Sequence, residues 1–319
     1  MKNVIVAGAN GFIGKNLVQN LIGRGDHVIA LRKSFDEDLR RICQCISVED
    51  KSLKEIAQQL KEDYSCFYDL AWAGTSGALR SDYNIQVNNI RLTCDYVKLA
   101  ALIDCPRFIY ASSINEMETY EYLQSDDIEP SGGYIYGAGK LAAHLMAETV
   151  AYQNKIAFIP LIITNIYGIG EKSARLICSS IQKLLKGEHC SFTAGNQTYD
   201  FIYISDAINA IVEIGEKGNA FTRYYIGSGK PRALREFLIQ MRNIVGPETK
   251  IGIGDLPFRG ANVDYNQFDM QKVEKDTGYV PEVSFEEGIR MTLKWMKSRG
   301  GGYNLPALVV DVPAVGEAA

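Results

Sequence analysis

The feature that most constrains this chain stands near its start. Residues 4–7 form a short apolar, β-branched run, and Gly8-Ala9-Asn10-Gly11-Phe12-Ile13-Gly14 follows it. Residues 15–22 then carry Leu17, Val18, Leu21 and Ile22 at helical spacing. A strand that enters a helix through glycines at every third position leaves backbone N–H groups open at the positive end of the helix. Glycine permits both the tight turn and the close approach of a pyrophosphate to the backbone. A glycine triplet alone marks many packed turns, but directly after a first strand it predicts a dinucleotide site.

The same alternation continues downstream. Strands are expected over residues 27–31, 66–71, 107–111 and 156–163, and helices over 53–61, 83–101 and 135–153. Pro160 suits an edge strand or a bulge, because it brings no N–H to a ladder. A βαβ rhythm of this kind predicts an α/β fold, a Rossmann-type doubly wound parallel sheet. Past about residue 165 the rhythm loosens and Gly168, Gly170, Gly195, Pro231, Pro247, Pro257 and Pro281 punctuate the chain. The reading is a dinucleotide-binding domain over 1–165, with a returning segment near 200–228. A smaller mixed lobe then spans 166–297, closed by a helix at 285–297, and a flexible tail covers 298–319.

Composition narrows the class of partner. Lys+Arg 34 against Asp+Glu 38 gives a net charge of −4 with no basic block, which argues against nucleic acid. The 7 cysteines are scattered and odd in number, with Cys43 and Cys45 the one close pair, so they read as reduced thiols. His27, His144 and His189 lie far apart and predict no metal site. No stretch approaches a signal-peptide core or a membrane span, so the expected location is the cytoplasm.

An acidic residue after the second strand would bond the 2′-hydroxyl of an adenosine ribose. This chain has Leu31-Arg32-Lys33-Ser34 there, and the Arg32 guanidinium suits a 2′-phosphate, so NADP(H) is favoured over NAD(H). Farther on, Tyr136-Gly137-Ala138-Gly139-Lys140 places a phenol and an ammonium on one helix face. A nearby cation favours the phenolate, which fits Tyr136 for proton exchange with a substrate oxygen while a cofactor exchanges hydride. Tyr110-Ala111-Ser112-Ser113 ends a strand and offers a hydroxyl to the same oxygen.

With these motifs in order, the chain from Met1 to about Lys297 resembles the extended short-chain dehydrogenase/reductases, the sugar-nucleotide epimerase, dehydratase and reductase group. The resemblance implies that Gly8, Gly11, Phe12, Ile13 and Gly14 hold the dinucleotide, and that Tyr136 and Lys140 line it, with Lys140 on the nicotinamide ribose. It implies that Ser113 is the catalytic hydroxyl, that Leu70-Ala71-Trp72-Ala73 runs along the cofactor, and that Asn89 matches an asparagine of the long helix. Asn165, in Thr164-Asn165-Ile166-Tyr167-Gly168, and Arg259, in Pro257-Phe258-Arg259-Gly260, would meet the nucleotide-sugar phosphates. The segment 200–206, Asp-Phe-Ile-Tyr-Ile-Ser-Asp, would organise the small lobe.

Family dehydratases carry an acid pair directly after the hydroxyl residue. Ile114 and Asn115 stand there instead, which disfavours dehydration, although Glu116 reaches the site if the loop is remodelled; Asn115 is then a substrate contact. Two other positions depart from the family: Ile162 and Tyr199 replace arginines. The expected activity is an NADP(H)-dependent reduction of a nucleotide-linked 4-keto deoxysugar. The alternatives are an NAD-dependent 4-epimerase that recycles its cofactor and a cofactor-sensing protein without turnover. The helices 83–101 and 135–153 resemble those that pair in a family homodimer, with Leu141, Leu145 and Val150 available to that face or to the core.

Overall fold

The computed structural model describes residues 1–35 and 37–298, so the expected tail lies outside the described residues except for Ser298. Apolar strands alternate with helices from the start: β1 (Asn3–Ala7), α1 (Phe12–Gly23), β2 (His27–Arg32), α2 (Glu37–Ile42), β3 (Gln44–Ser47), α3 (Leu53–Ala57) and β4 (Tyr64–Asp69). The long helices follow: α4 (Tyr83–Leu102), β5 (Arg107–Ala111), α5 (Asn115–Leu123), α6 (Gly132–Gln153) and β6 (Ala157–Ile163). Shorter pieces come next: β7 (Asn165–Tyr167), α7 (Leu176–Leu185), β8 (Cys190–Phe192), β9 (Thr198–Tyr199), β10 (Phe201–Tyr203), α8 (Ile204–Lys217) and β11 (Tyr224–Ile226). The last are β12 (Arg232–Ala233), α9 (Leu234–Val245), β13 (Ile251–Ile253), α10 (Lys272–Thr277) and α11 (Phe285–Ser298).

Seven strands form one parallel sheet in the order β11-β6-β5-β4-β1-β2-β3. Side chains alternate across it with period two. Val4, Val6, Val28, Ala30 and Tyr68 enter the core under α1 and α8, while Ile5, Ala7, Ile29, Leu31 and Phe67 enter the core under α4 and α6. Both faces are covered, which is why these strands are apolar throughout. The strand order reverses at β1, between β2 and β4, and that switch point opens a crevice at the C-terminal ends of β1 and β4.

Several elements differ from the sequence reading. The helix expected over 53–61 stops at Ala57: Ser52 and Glu55 cap it with a reciprocal box, and a tight turn from Ala57 to Leu60 buries Leu60 before β4. The strand expected over 66–71 is Tyr64–Asp69, ended where the Asp69 carboxylate accepts the Ala71 N–H at 3.0 Å. The helix α5 and the pair α2 and β3 had no clear periodic signal. Pro160 lies in an interior strand, not an edge strand. Its lost N–H costs little there: the Phe158 carbonyl on that side bonds Phe221, and pairing with β11 starts only at Leu161.

Two aspartates organise the C-terminal half. Buried Asp200 accepts from the Tyr225 hydroxyl at 2.6 Å, the Gly229 N–H at 3.1 Å and the Ser228 hydroxyl. Asp206 on α8 accepts from the Tyr279 hydroxyl at 2.8 Å and the N–H groups of Glu282 and Val283 at 3.1 and 2.8 Å. It thereby holds the chain that leads into α11. Asp206→Asn replaces one acceptor oxygen by a donor facing N–H groups, and should cost about 1–3 kcal/mol. Urea unfolding would show this as a lower midpoint at unchanged slope; an unchanged midpoint would mean that the carboxylate does not hold this segment.

Candidate active site

The glycine turn is shaped by close packing. Gly8 has φ +80, and a Cβ there would lie 2.5 Å from the Leu70 carbonyl, while one at Gly14 would collide with the Gly8 carbonyl. Gly11 caps α1 in extended conformation with no side-chain cap and no acidic residue in the first turn. The first N–H groups of the helix, on Phe12, Ile13 and Gly14, therefore face the crevice with positive dipole and no competing side chain. The Asn10 Oδ1 beside them is buried without a hydrogen-bond partner among the described residues. This cradle fits the pyrophosphate of a dinucleotide. Arg32 ends β2, half-buried, and its guanidinium has no ion pair or side-chain hydrogen bond among the described residues.

A second loop, after β4, is clamped from α4. Asn89, buried, accepts the Ala73 N–H at 3.0 Å and donates to the Ala73 carbonyl at 2.8 Å. One turn earlier, Gln86 accepts the Trp72 indole N–H at 2.8 Å and donates to the carbonyls of Gly74, Leu79 and Arg80 at 3.3–3.4 Å. Two buried amides one helical turn apart thus satisfy a stretch of irregular backbone that would otherwise carry unpaired polar groups. They fix Leu70, Ala71, Trp72 and Ala73 along the crevice and put Trp72 edge-on to Tyr136, ring centres 6.2 Å apart.

Tyr136 and Lys140 project from α6 and are both buried. The Lys140 ammonium donates to the Ala111 carbonyl at 2.7 Å and lies 3.7 Å above the Trp72 ring. Burial pulls its pKa well below the ordinary lysine value, while Asp69 and Glu116 push it back up. Burial likewise raises the Tyr136 phenol; Arg80, Arg175 and the Ser113 hydroxyl lower it, and Glu116 raises it. The cation on the phenol ring is Arg80, whose guanidinium carbon is 4.6 Å from the ring centre. The Lys140 ammonium is held by the Ala111 carbonyl and the Trp72 face.

At the end of β5, the Ser113 hydroxyl donates to Asn115 Oδ1 at 3.0 Å, and the Asn115 amide donates to Glu118. Burial raises the Glu118 carboxyl, and Arg80 lowers it. Glu116 does not reach this side. It is fully buried, accepts from the Ser112 hydroxyl, and pairs with His144 at 2.9 Å beneath the sheet end. Helix spacing decides this, since on α5 Glu118 shares a face with Asn115 and Glu116 does not.

Residues 4–227 match the family model described as the NAD dependent epimerase/dehydratase family. This chain belongs to that family. Its relatives include the CDP-abequose synthase of Salmonella typhimurium, 24% identical over 91% of this chain and 97% of that protein. A putative UDP-glucose 4-epimerase of Methanocaldococcus jannaschii is 25% identical over 92% of this chain and 98% of that protein. Among solved structures, the UDP-N-acetylglucosamine 4-epimerase of Bacillus cereus shares the fold at TM-score 0.75 and 19% identity, covering 94% of this chain and 97% of that one. The UDP-glucuronic acid 4-epimerase of Bacillus cereus in complex with NAD does so at 0.73 and 20%, covering 93% and 99%. The chain is an enzyme of the extended short-chain dehydrogenase/reductase type.

The remaining family positions are distributed less tightly. Asn165 donates its amide to the Asp200 carbonyl at 3.2 Å, at the start of β7. Arg259 is exposed and forms a surface pair with Glu129 at 2.9 Å, while the Ala261 N–H bonds the Tyr134 hydroxyl at 3.1 Å. Together these join the loop after β13 to the loop after α5 and to the first turn of α6. Arg80, Arg175, Gln86 and Glu118 were not foreseen. Gln86 carried a usable signal, since it lies at i−3 from Asn89 on the same helix face. Arg80 and Arg175 carried none, because loop charges give no periodicity.

Gln86→Leu removes the partner of the Trp72 indole and of the Gly74 and Arg80 carbonyls, while the Leu79 carbonyl keeps the Asp82 N–H, so a loss of about 1–3 kcal/mol is expected. The emission of Trp72 should also shift to the red as its loop loosens. Unaltered stability and emission would show that Gln86 does not hold the loop.

Proposed function

We propose that this enzyme is an NADP(H)-dependent reductase of a nucleotide-activated 4-keto deoxysugar. The observation that carries the choice of cofactor is Arg32: a guanidinium with no ion pair or side-chain hydrogen bond among the described residues, at the end of β2, where a 2′-hydroxyl reader would be acidic. When bound, the cofactor supplies the hydride. The turn Gly8 to Gly14 then holds its pyrophosphate and Arg32 its 2′-phosphate. Lys140 holds the nicotinamide ribose, Ser113 polarises the keto oxygen, and the Tyr136 hydroxyl gives that oxygen its proton. Asn115, Asn165 and Arg259 are assigned to the substrate, Arg259 on exchanging Glu129 for a phosphate.

In this reading residues 1–165, with the returning segment near 200–228, hold the dinucleotide, and 166–297 hold the sugar nucleotide. The seven free cysteines fit a reducing cytoplasm. Leu145 and Met146 on α6 and Tyr83 and Val87 on α4 are exposed apolar residues, whereas Val150 packs into the core. They support a homodimer through these helices, which sedimentation should report as a species of twice the chain mass; a monomer at micromolar concentration would end that assignment.

A second reading, the NAD-dependent 4-epimerase, is supported by similar structures determined with NAD, among them the UDP-glucuronic acid 4-epimerase. Titration of the apo protein separates the two. NADPH should bind about tenfold or more tighter than NADH, and Arg32→Ala should abolish the difference. Equal affinities, or NAD retained through purification, would favour the epimerase.

Tyr136→Phe should slow turnover of a 4-keto nucleotide sugar by about 100-fold or more with dinucleotide affinity unchanged. A protein that only senses the cofactor would show no turnover before or after the change.

A further inference from the structure

We propose that Glu118 is a positioning residue that sets, through the Asn115 amide, which way the Ser113 hydroxyl proton points. This rests on the reading of Ser113 as the hydroxyl beside the sugar oxygen. It adds to that reading the group that turns the proton toward the substrate or away from it.

Three side chains form one run of hydrogen bonds at the start of α5. The Ser113 hydroxyl donates to Asn115 Oδ1 at 3.0 Å and accepts the Asn115 backbone N–H at 3.2 Å, and Asn115 Nδ2 donates to the Glu118 carboxylate. An amide oxygen only accepts and an amide nitrogen only donates, so the partner at one end fixes what the other end can do. An ionised Glu118 takes the nitrogen and leaves the oxygen to Ser113. The Ser113 proton is then committed to Asn115, and Ser113 can only accept at the reacting centre. A protonated Glu118 reverses the order. It donates to the amide oxygen, the two Ser113 lone pairs take the Asn115 N–H and Nδ2, and the hydroxyl proton is released to a keto oxygen. Only the proton on Glu118 is exchanged with solvent; the rest is rotation of one amide and one hydroxyl.

Packing keeps this run at the depth of the phenol. Gly137, next to Tyr136 on α6, leaves no room for a Cβ against the Asn115 carbonyl and the Thr119 hydroxyl, so the start of α5 rests directly on the helix that carries the phenol. Thr119 donates to that same carbonyl at 2.8 Å. Ser113 in turn lowers the Tyr136 phenol pKa by a hydrogen bond.

Glu118 is half-buried and has no ion pair among the described residues. The ionisable groups that share its field come from four other segments. They are Arg80 in the one-turn helix Ala78–Ser81, Tyr134 on α6, Tyr199 on β9 and Tyr265 in the turn Tyr265–Gln267. Burial raises the Glu118 carboxyl above the ordinary carboxylate value, while Arg80 and the Asn115 hydrogen bond lower it. The three phenols are neutral at working pH and add no charge.

The sign follows. Glu118 is neutral below its titration and ionised above it, so ketone reduction should be faster on the acid side. As pH rises through that titration the turnover rate should fall by about tenfold or more, the effect of losing one donor at the developing oxyanion. Glu118→Gln carries no such proton, and the step should vanish from its profile with KM little changed. Other groups that titrate in the same range are common to both proteins and cancel in the comparison. NADPH with UDP-, dTDP- and CDP-linked 4-keto-6-deoxyglucose serve as probes.

The same switch is read without cofactor or substrate by NMR of nitrogen-labelled protein, the Asn115 side-chain signal assigned by its loss in Asn115→Ser. That signal should follow one titration in the wild type and stay flat in Glu118→Gln. A wild-type signal indifferent to pH across the carboxyl range would overturn the role of Glu118. So would a rate step that Glu118→Gln keeps or that the wild type lacks. If no probe consumes NADPH, the reductase reading itself falls, while the Asn115 signal still decides whether Glu118 governs the amide.

Discussion

The cleft depends on a close approach between two loops at the C-terminal ends of β1 and β4. Gly8 leaves no space for a side chain against the Leu70 carbonyl, and Gly14 leaves none against Gly8. That contact lets the helix N-terminus and the Leu70-Ala71-Trp72-Ala73 loop border one crevice at the sheet's switch point. The arrangement around it follows from this distance. Asn89 and Gln86 pin the second loop from behind, Trp72 lies edge-on to Tyr136, and Arg80 is carried over the phenol by the end of the same loop. A wider separation at Gly8 would move cofactor cradle and catalytic side chains apart together.

Beneath that cleft the protein buries a cluster of ionisable groups. Asp69, Glu116, Lys140 and His144 are all nearly inaccessible, and one Asp69 oxygen has no hydrogen-bond partner among the described residues. Burial raises Asp69 and lowers Lys140, each toward its neutral form, while their mutual attraction opposes both shifts. Such a cluster contributes little net stability, because desolvation offsets most of the Coulombic gain. Its value lies in specificity of placement. Glu116 is held by Ser112 and His144 and the Lys140 ammonium by Ala111, so the side chains around them are kept to one arrangement.

The places where sequence and structure part are instructive. The face of α6 that carries Tyr136 and Lys140 was legible from their spacing, yet the environment of each side chain was not. Spacing put the two on one side of a helix, and only packing showed the ammonium turned to the Ala111 carbonyl and Trp72 while an arginine from another loop meets the phenol. The sequence reading offered Glu116 as the acid that a remodelled loop would bring to the site, and Glu118 was not foreseen. The start of α5 at Asn115 decided between them, because a helical turn brings Glu118 to Asn115 and sends Glu116 inward.

The sequence by itself determined the α/β class, the parallel sheet and the dinucleotide turn, since apolar runs, helical periods and glycine spacing are local properties of a chain. It also marked Tyr136, Lys140 and Ser113, whose residue types and order are specific. Only the tertiary structure decided which charge touches which group. Arg80, Trp72, Gln86 and Tyr136 meet because a loop after β4 folds over α6, and contacts between distant segments leave no periodic trace in the residues that make them.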